Sequence, residues 1–361
     1  MFPVRPLADN VLVALFVCLP AGLAVGAGCS DGGGETHDDP GKTGSDDART
    51  GWLADVEAPL PVWLSETGIY ADGTGTVPGP GAVVYVPTHP LWSNGADKER
   101  LLFMPPETRI TPEDDPAAPW AFPVGTVLVK SFSLDDVDGR TGAVKIETRI
   151  LARRSTGWLY ALYHWNADGT EAALARADWR ATPLRLMDAA GTTFEYTLPG
   201  RLECRGCHEA PGPTPVLGIA RWQVPAELTD VFSRPPAPAD VGAFARTPAE
   251  TEALGYFVGN CAYCHNGRDT SENAAFSLEP PDAVGNTVEQ ETDSSASGVG
   301  VRVVPGDPEG SAVFEAVVLA RAADYPGDLK PMPPLGIDRV DPRAAQALRR
   351  WILELGETDA P

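Results

Sequence analysis

Basic side chains are scarce in this chain: 28 Lys and Arg stand against 50 Asp and Glu, for a net charge of −22 over 361 residues. A polypeptide this acidic is repelled by phosphate backbones and anionic lipid, so nucleic acid is excluded as a natural partner. Long apolar runs are lacking too. The run from Val11 to Val25 is broken at Pro20 and is shorter than the roughly 20 residues that span a bilayer. Propeller repeats are missing, and cysteine is sparse at six residues. What is plentiful is Gly and Pro, 37 and 36 residues, which suits a loop- and β-rich protein better than a helical bundle. The 43% apolar content supplies real cores for what reads as two folded domains.

Residues 1–28 read as an export signal. Arg5 precedes the apolar run, and small residues Gly26, Ala27 and Gly28 follow it. Cys29, directly after them, stands where a bacterial lipoprotein carries its acylated cysteine, although Gly26 replaces the usual Leu. Cleavage after Ala27 by an ordinary signal peptidase is the alternative. Residues 29–50 form a disordered acidic tether with almost nothing apolar, so they cannot offset the entropy of folding. His37 lies within it.

Between residues 51 and 200 the dominant period is two. Val144, Ile146, Thr148 and Ile150 alternate with Lys145, Glu147 and Arg149, and Asp138-Gly139 turns this strand back onto Thr126 to Phe132. Gly157 to Trp165 is a third strand, and Phe194, Tyr196 and Leu198 mark a fourth. The aromatics Trp92, Trp120, Phe122, Trp158, Tyr160 and Trp165 read as core, with a carbohydrate or cofactor platform as the sharper alternative. Asp135, Asp136 and Asp138 lack the ordered ligand series of a calcium loop and read as a solvated turn.

The chemistry lies in Cys204-Arg-Gly-Cys207-His208 and Cys261-Ala-Tyr-Cys264-His265. C-x-x-C-H is the attachment signature of c-type haem. Residues i, i+3 and i+4 share one face of a helical turn, so two thiols can bind the haem vinyls while the next imidazole reaches the iron. A tetrathiolate zinc site or a pair of disulfides would not explain why His follows both pairs. Two c-type haems are therefore expected. Of the remaining cysteines, Cys29 is the lipid site and Cys18 leaves with the signal.

Residues 201–246 form a first haem-binding segment and residues 247–356 a helical domain with the second haem. Thr247, Pro248 and Glu250 make a helix start, and Leu254, Phe257, Val258 and Cys261 form a stripe leading into the motif. Asp341-Pro342 starts another helix, with Ala345, Leu348, Trp351, Ile352 and Leu355 on one face. The two helices are expected to cross where Gly255 makes room for Trp351. Between them, Pro331-Met332-Pro333-Pro334 reads as a stiff loop offering Met332 to the second iron, against the alternative of a gap-filling core methionine. The sixth ligand of the first haem stays open between Met187, Met104, His164, His89 and an empty or water-filled position.

The chain resembles a family of exported dihaem c-type cytochromes with a β-rich N-terminal region. The resemblance runs over Leu64-Ser-Glu-Thr-Gly68, Pro90-Leu-Trp-Ser-Asn-Gly-Ala96, Phe122-Pro-Val-Gly-Thr-Val-Leu-Val-Lys130, Thr148-Arg149 and Trp165-Asn166. It continues over both haem motifs, Val304-Pro-Gly-Asp-Pro308 and Met332-Pro-Pro-Leu-Gly336. It implies an α+β chain, with an antiparallel β-rich domain followed by an α-helical, class I-like cytochrome c domain. The implied iron ligands are His208, His265 and Met332, and the implied role is periplasmic electron transfer. The expected partners are a separate periplasmic dehydrogenase as donor and an acceptor with a basic docking face. A dihaem peroxidase with one open iron is the alternative, with His164 or a carboxylate as its acid or base.

Overall fold

The sequence between residues 82 and 174 folds as one antiparallel meander because its strands are short, alternate in polarity and are joined by Gly- and Asp-containing turns. The computed structural model describes residues 49–115, 118–176, 180–209, 215–268, 275–292, 300–322, 324–327, 329–334 and 336–358. The export signal, Cys29, His37 and most of the tether lie outside the described residues. No described helix is long and apolar enough to cross a membrane.

Six strands run in sequence order: β1 (Ala82–Val84), β2 (Asp97–Phe103), β3 (Val127–Asp135), β4 (Ala143–Arg154), β5 (Gly157–Trp165) and β6 (Ala172–Leu174). A bulge between Phe132 and Ser133 shifts the β3–β4 register. β7 (Thr182–Met187) and β8 (Thr193–Leu198) form a separate two-stranded sheet, so the expected fourth strand does not join the meander. Asp136 and Asp138 serve the turns, accepting from the Gly142 and Met187 amides at 2.7 and 2.9 Å.

Period-two alternation divides the large sheet into two faces. One carries Leu101, Val129, Ile150 and Tyr163 and is covered by Trp52, Leu53, Leu64 and Ile69. The other is apolar at its two ends. Leu102, Leu128 and Leu151 pack there with Trp120 and Phe122, while Phe132, Leu134 and Ile146 pack with Tyr196 and Leu198 of β8. The expectation of core aromatics holds for Trp120, Phe122 and Trp165, all buried, and Trp158 and Tyr160 pack partly buried at the edge of that core.

Helices dominate the remainder: α1 (Arg201–His208), α2 (Pro248–Asn260), α3 (Pro280–Thr287), α4 (Ala312–Phe314, running into a π-helical turn Glu315–Leu319) and α5 (Pro342–Thr358). The chain is thus α+β, a β-sheet region followed by helices. Thr247 caps α2, its Oγ1 accepting from the Glu250 amide at 3.1 Å, with Pro248 in the first turn. Leu254, Phe257 and Val258 of α2 meet Leu348, Trp351, Ile352 and Leu355 of α5 in one core, with Phe257 and Trp351 edge to face at 5.8 Å.

Gly255 does not make room for Trp351. A Cβ on Gly255 would lie 2.7 Å from Nδ1 of His89, and one on Gly259 would lie 2.6 Å from the His89 carbonyl oxygen. These two glycines admit a loop of the β region onto α2, and Trp351 finds its partner in Phe257 instead. Gly259→Ala is therefore expected to lower stability by about 1–2 kcal/mol, overpacking against backbone outweighing Ala's helix propensity. Gly285→Ala in α3, where nothing lies within 4 Å, is expected to be neutral or to raise stability by up to about 1 kcal/mol. Urea midpoints of the two variants check the contrast.

Candidate functional site

Helix α1 is built almost entirely of the first motif. It starts at Gly200 and carries Cys204, Cys207 and His208 within eight residues. A cavity opens beside it whose void, counted out to its open mouth, measures about 1370 Å³. Cys204, Cys207 and His208 line it together with Leu128, Lys130, Arg149, Leu151 and Tyr160 of the sheet. The helical half closes the cavity with Asn260, Tyr263 and Cys264 of the second motif region and with Pro333, Pro334 and Gly336 of the Met332 loop. Both C-x-x-C-H motifs thus contribute a cysteine to one cavity.

His208 has a fixed tautomer. Its Nδ1 lies 2.5 Å from the Pro215 carbonyl oxygen, and a carbonyl only accepts, so Nδ1 carries the hydrogen and Nε2 keeps its lone pair. An imidazole oriented by a backbone carbonyl is the usual arrangement of a metal-ligating histidine. Burial, helped by the Lys130 charge and opposed by the Pro215 contact, pushes the ring down to about 4, which keeps it neutral. The Tyr160 ring packs against it at 5.6 Å. Burial also raises the Cys204 thiol to about 11, with the Arg149 charge pulling the other way.

The second motif follows α2 directly. Cys261 caps the helix, and the amides of Cys264 and His265 donate back to its carbonyl at 3.0 and 2.9 Å, giving one further helical turn. The His265 ring lies 4.5 Å from that of Phe276. Met332 and Cys261 both pack against the α2–α5 core, and the Met332 amide donates to the Ala316 carbonyl at 2.9 Å. Arg321 braces this loop, donating to the Pro333 and Ile337 carbonyls at 2.8 and 2.5 Å. Neither His265 nor Met332 lines the shared cavity.

None of the four motif cysteines forms a disulfide among the described residues. Among the described residues, no group of three or more His, Cys, Asp or Glu side chains stands at metal-binding spacing. The arrangement can hold a group with two thiol attachment points and a metal reached by one imidazole nitrogen, at either motif.

None of the four residues considered as a sixth ligand for the first motif lines the cavity. His89 lies against α2, Met104 packs at the edge of the sheet core with Thr126 Oγ1 3.8 Å from its sulfur, and Met187 and His164 are exposed. Lys130, Arg149 and Tyr160, the sheet residues that line the cavity with His208, escaped the sequence reading. Their period-two spacing was visible, but not which face would be left uncovered.

The Pro90–Ala96 segment was legible as a recurring motif and not as a joint. Asn94 is fully buried with φ +57°. Its Oδ1 accepts from the Asp338 and Arg339 amides at 2.7 and 3.1 Å, and its Nδ2 donates to Asp338 at 3.3 Å. Trp92 adds two bonds, its amide donating to Asn260 Oδ1 at 2.8 Å and its indole to the Arg339 carbonyl at 3.0 Å. The chain just beyond Met332 is thereby tied to the β region. Comparison with family models, with curated proteins and with solved structures returns no match.

Asn94→Ala is expected to destabilise the chain by about 1–3 kcal/mol, since it removes the acceptor of two part-buried amides and puts a residue less tolerant of left-handed geometry at that position. Equilibrium urea denaturation of the two proteins measures it.

Proposed function

We propose that the protein is an exported dihaem c-type cytochrome that carries electrons in the periplasm or cell envelope, held there by a lipid on Cys29. Haem is attached at Cys204 and Cys207 and again at Cys261 and Cys264. His208 ligates the first iron; His265 and Met332 ligate the second. On this reading the helical half is a class I-like cytochrome c domain and the β region is a wall for the first haem.

The observation that carries the reading is the convergence of the two motifs on one cavity, with His208 fixed by Pro215 so that its free nitrogen is available. When bound, the haems supply one-electron redox chemistry at their irons. The protein's own contribution is position and environment. Pro215 orients His208; Arg321 and the Ala316 carbonyl hold the Met332 loop; Tyr160, Leu128 and Leu151 keep water from one side of the cavity. Methionine opposite histidine raises the reduction potential of the second site.

The donor is proposed to be a separate periplasmic dehydrogenase and the acceptor a protein with a basic face. A net charge of −22 steers such partners over a range set by the Debye length. Electron-transfer rates with a basic acceptor are therefore expected to fall steeply as salt is added; rates indifferent to salt refute this docking mode.

Optical and EPR spectra of the purified holoprotein test the function. Two covalent haems per chain, both low-spin, with a methionine-to-iron band lost in Met332→Ala, are the expected result. A chain without covalent haem overturns the proposal. A second reading, peroxide reduction at an open first iron, draws on the absence of His89, His164, Met104 and Met187 from the cavity lining. Its signature is a high-spin haem that binds carbon monoxide. His164, which does not line the cavity, lends that second reading no support.

A further inference from the structure

The middle of the cavity-facing sheet surface is occupied by cations. Arg100, Lys130 and Arg149 stand directly opposite one another on β2, β3 and β4, as Cα partners in the ladder. Like charges opposed across strands destabilise a sheet, and this row sits between two apolar clusters rather than at a solvated edge. Lys98, two residues before Arg100 on the same face, adds a fourth positive charge, though its ammonium is held by the Leu91 carbonyl and by Ser93 Oγ at 3.0 Å.

The carboxylates present do not balance the row. Glu147, buried on the same face, is taken by Arg149, whose Nε donates to it at 2.9 Å, and by the Tyr196 hydroxyl at 2.8 Å. Glu203 of α1 lines the cavity and makes no ion pair with the row. Asp341 acts on Lys98. Arg100 Nε is buried without a hydrogen-bond partner. Lys130 and Arg149 line the cavity together with both thiols of the first motif.

We infer that the Arg100–Lys130–Arg149 row is the counter-charge for the two propionate carboxylates of the haem carried on Cys204 and Cys207, an inference that rests on the dihaem reading. A dianion beside three cations turns the repulsion along the row into a set of charge-assisted contacts. In the protein without that anion, burial and the neighbouring Arg100 and Arg149 charges push Lys130 down to about 7. The row has a redox consequence as well. Positive charge beside a haem favours its reduced form, so the row lifts the potential of the first site without touching the second.

The test is a spectroelectrochemical titration of the holoprotein, with haem content counted by pyridine haemochrome. Wild type should show two midpoints, of which Met332→Ala identifies the second site. Lys130→Gln should keep two haems and an unchanged low-spin spectrum. It should lower only the first midpoint, by about tenfold in electron affinity, or roughly 59 mV for one electron. Lys130→Arg should restore it. Arg100→Gln, read the same way, serves if Lys130→Gln does not accumulate, and should lower the same midpoint. Lys145→Gln, a partly buried lysine of β4 that packs over the Trp165 ring and does not line the cavity, should leave both midpoints in place.

Unchanged midpoints in the row variants overturn the inference. So does an equal shift with Lys145→Gln, which would make the effect one of net charge, or a change of spin state in Lys130→Gln, which would make Lys130 an iron ligand. A wild-type chain without covalent haem defeats the dihaem reading itself, and does so before any variant is compared.

Discussion

The side chain of Asn94 is the joint on which the arrangement of the chain depends. One amide group receives two backbone amides from residues 338 and 339 and donates to Asp338, and Asp338 in turn accepts from Thr197 of β8 at 3.2 Å. The loop holding Met332 begins six residues before this clasp. The position of that loop relative to the sheet, and the closing of the cavity by Pro333 and Pro334, follow from it. The two glycines of α2 complete the contact by letting the backbone around His89 lie directly on the helix.

Charge is distributed in opposite senses outside and inside. The chain as a whole is strongly acidic, yet the surface facing the cavity gathers Lys98, Arg100, Lys130 and Arg149 on neighbouring strands. Such a distribution is costly, since burial and mutual repulsion act together on every member. It marks a region where packing alone does not explain the residues chosen.

Much of the β region was legible because its strands are amphipathic. β3, β4 and β5 alternate cleanly and are separated by turn residues, and their predicted limits differ from the observed ones by a few residues. β2 was missed because Leu101, Leu102 and Phe103 are buried on both faces, which erases the alternation. The caps of α2 and the apolar face of α5 were equally readable, being local. What failed was long-range. The partner of Gly255 lies far upstream at His89, and nothing in the periodicity of a helix says which distant loop will fill its notch. Residue type also misled: His and Met were sought as the first site's further ligands, whereas position brings Lys130, Arg149 and Tyr160 to it.

The location of α1 within the chain bears on the order of assembly. Cys204 and Cys207 are walled on one side by strands that precede them and on another by Pro333, Pro334 and Gly336, which are synthesised far later. The cavity is therefore complete only when segments about 200 residues apart in sequence have come together. The Asn94 clasp joins the two ends of that span, since it cannot form until residue 339 is part of the chain.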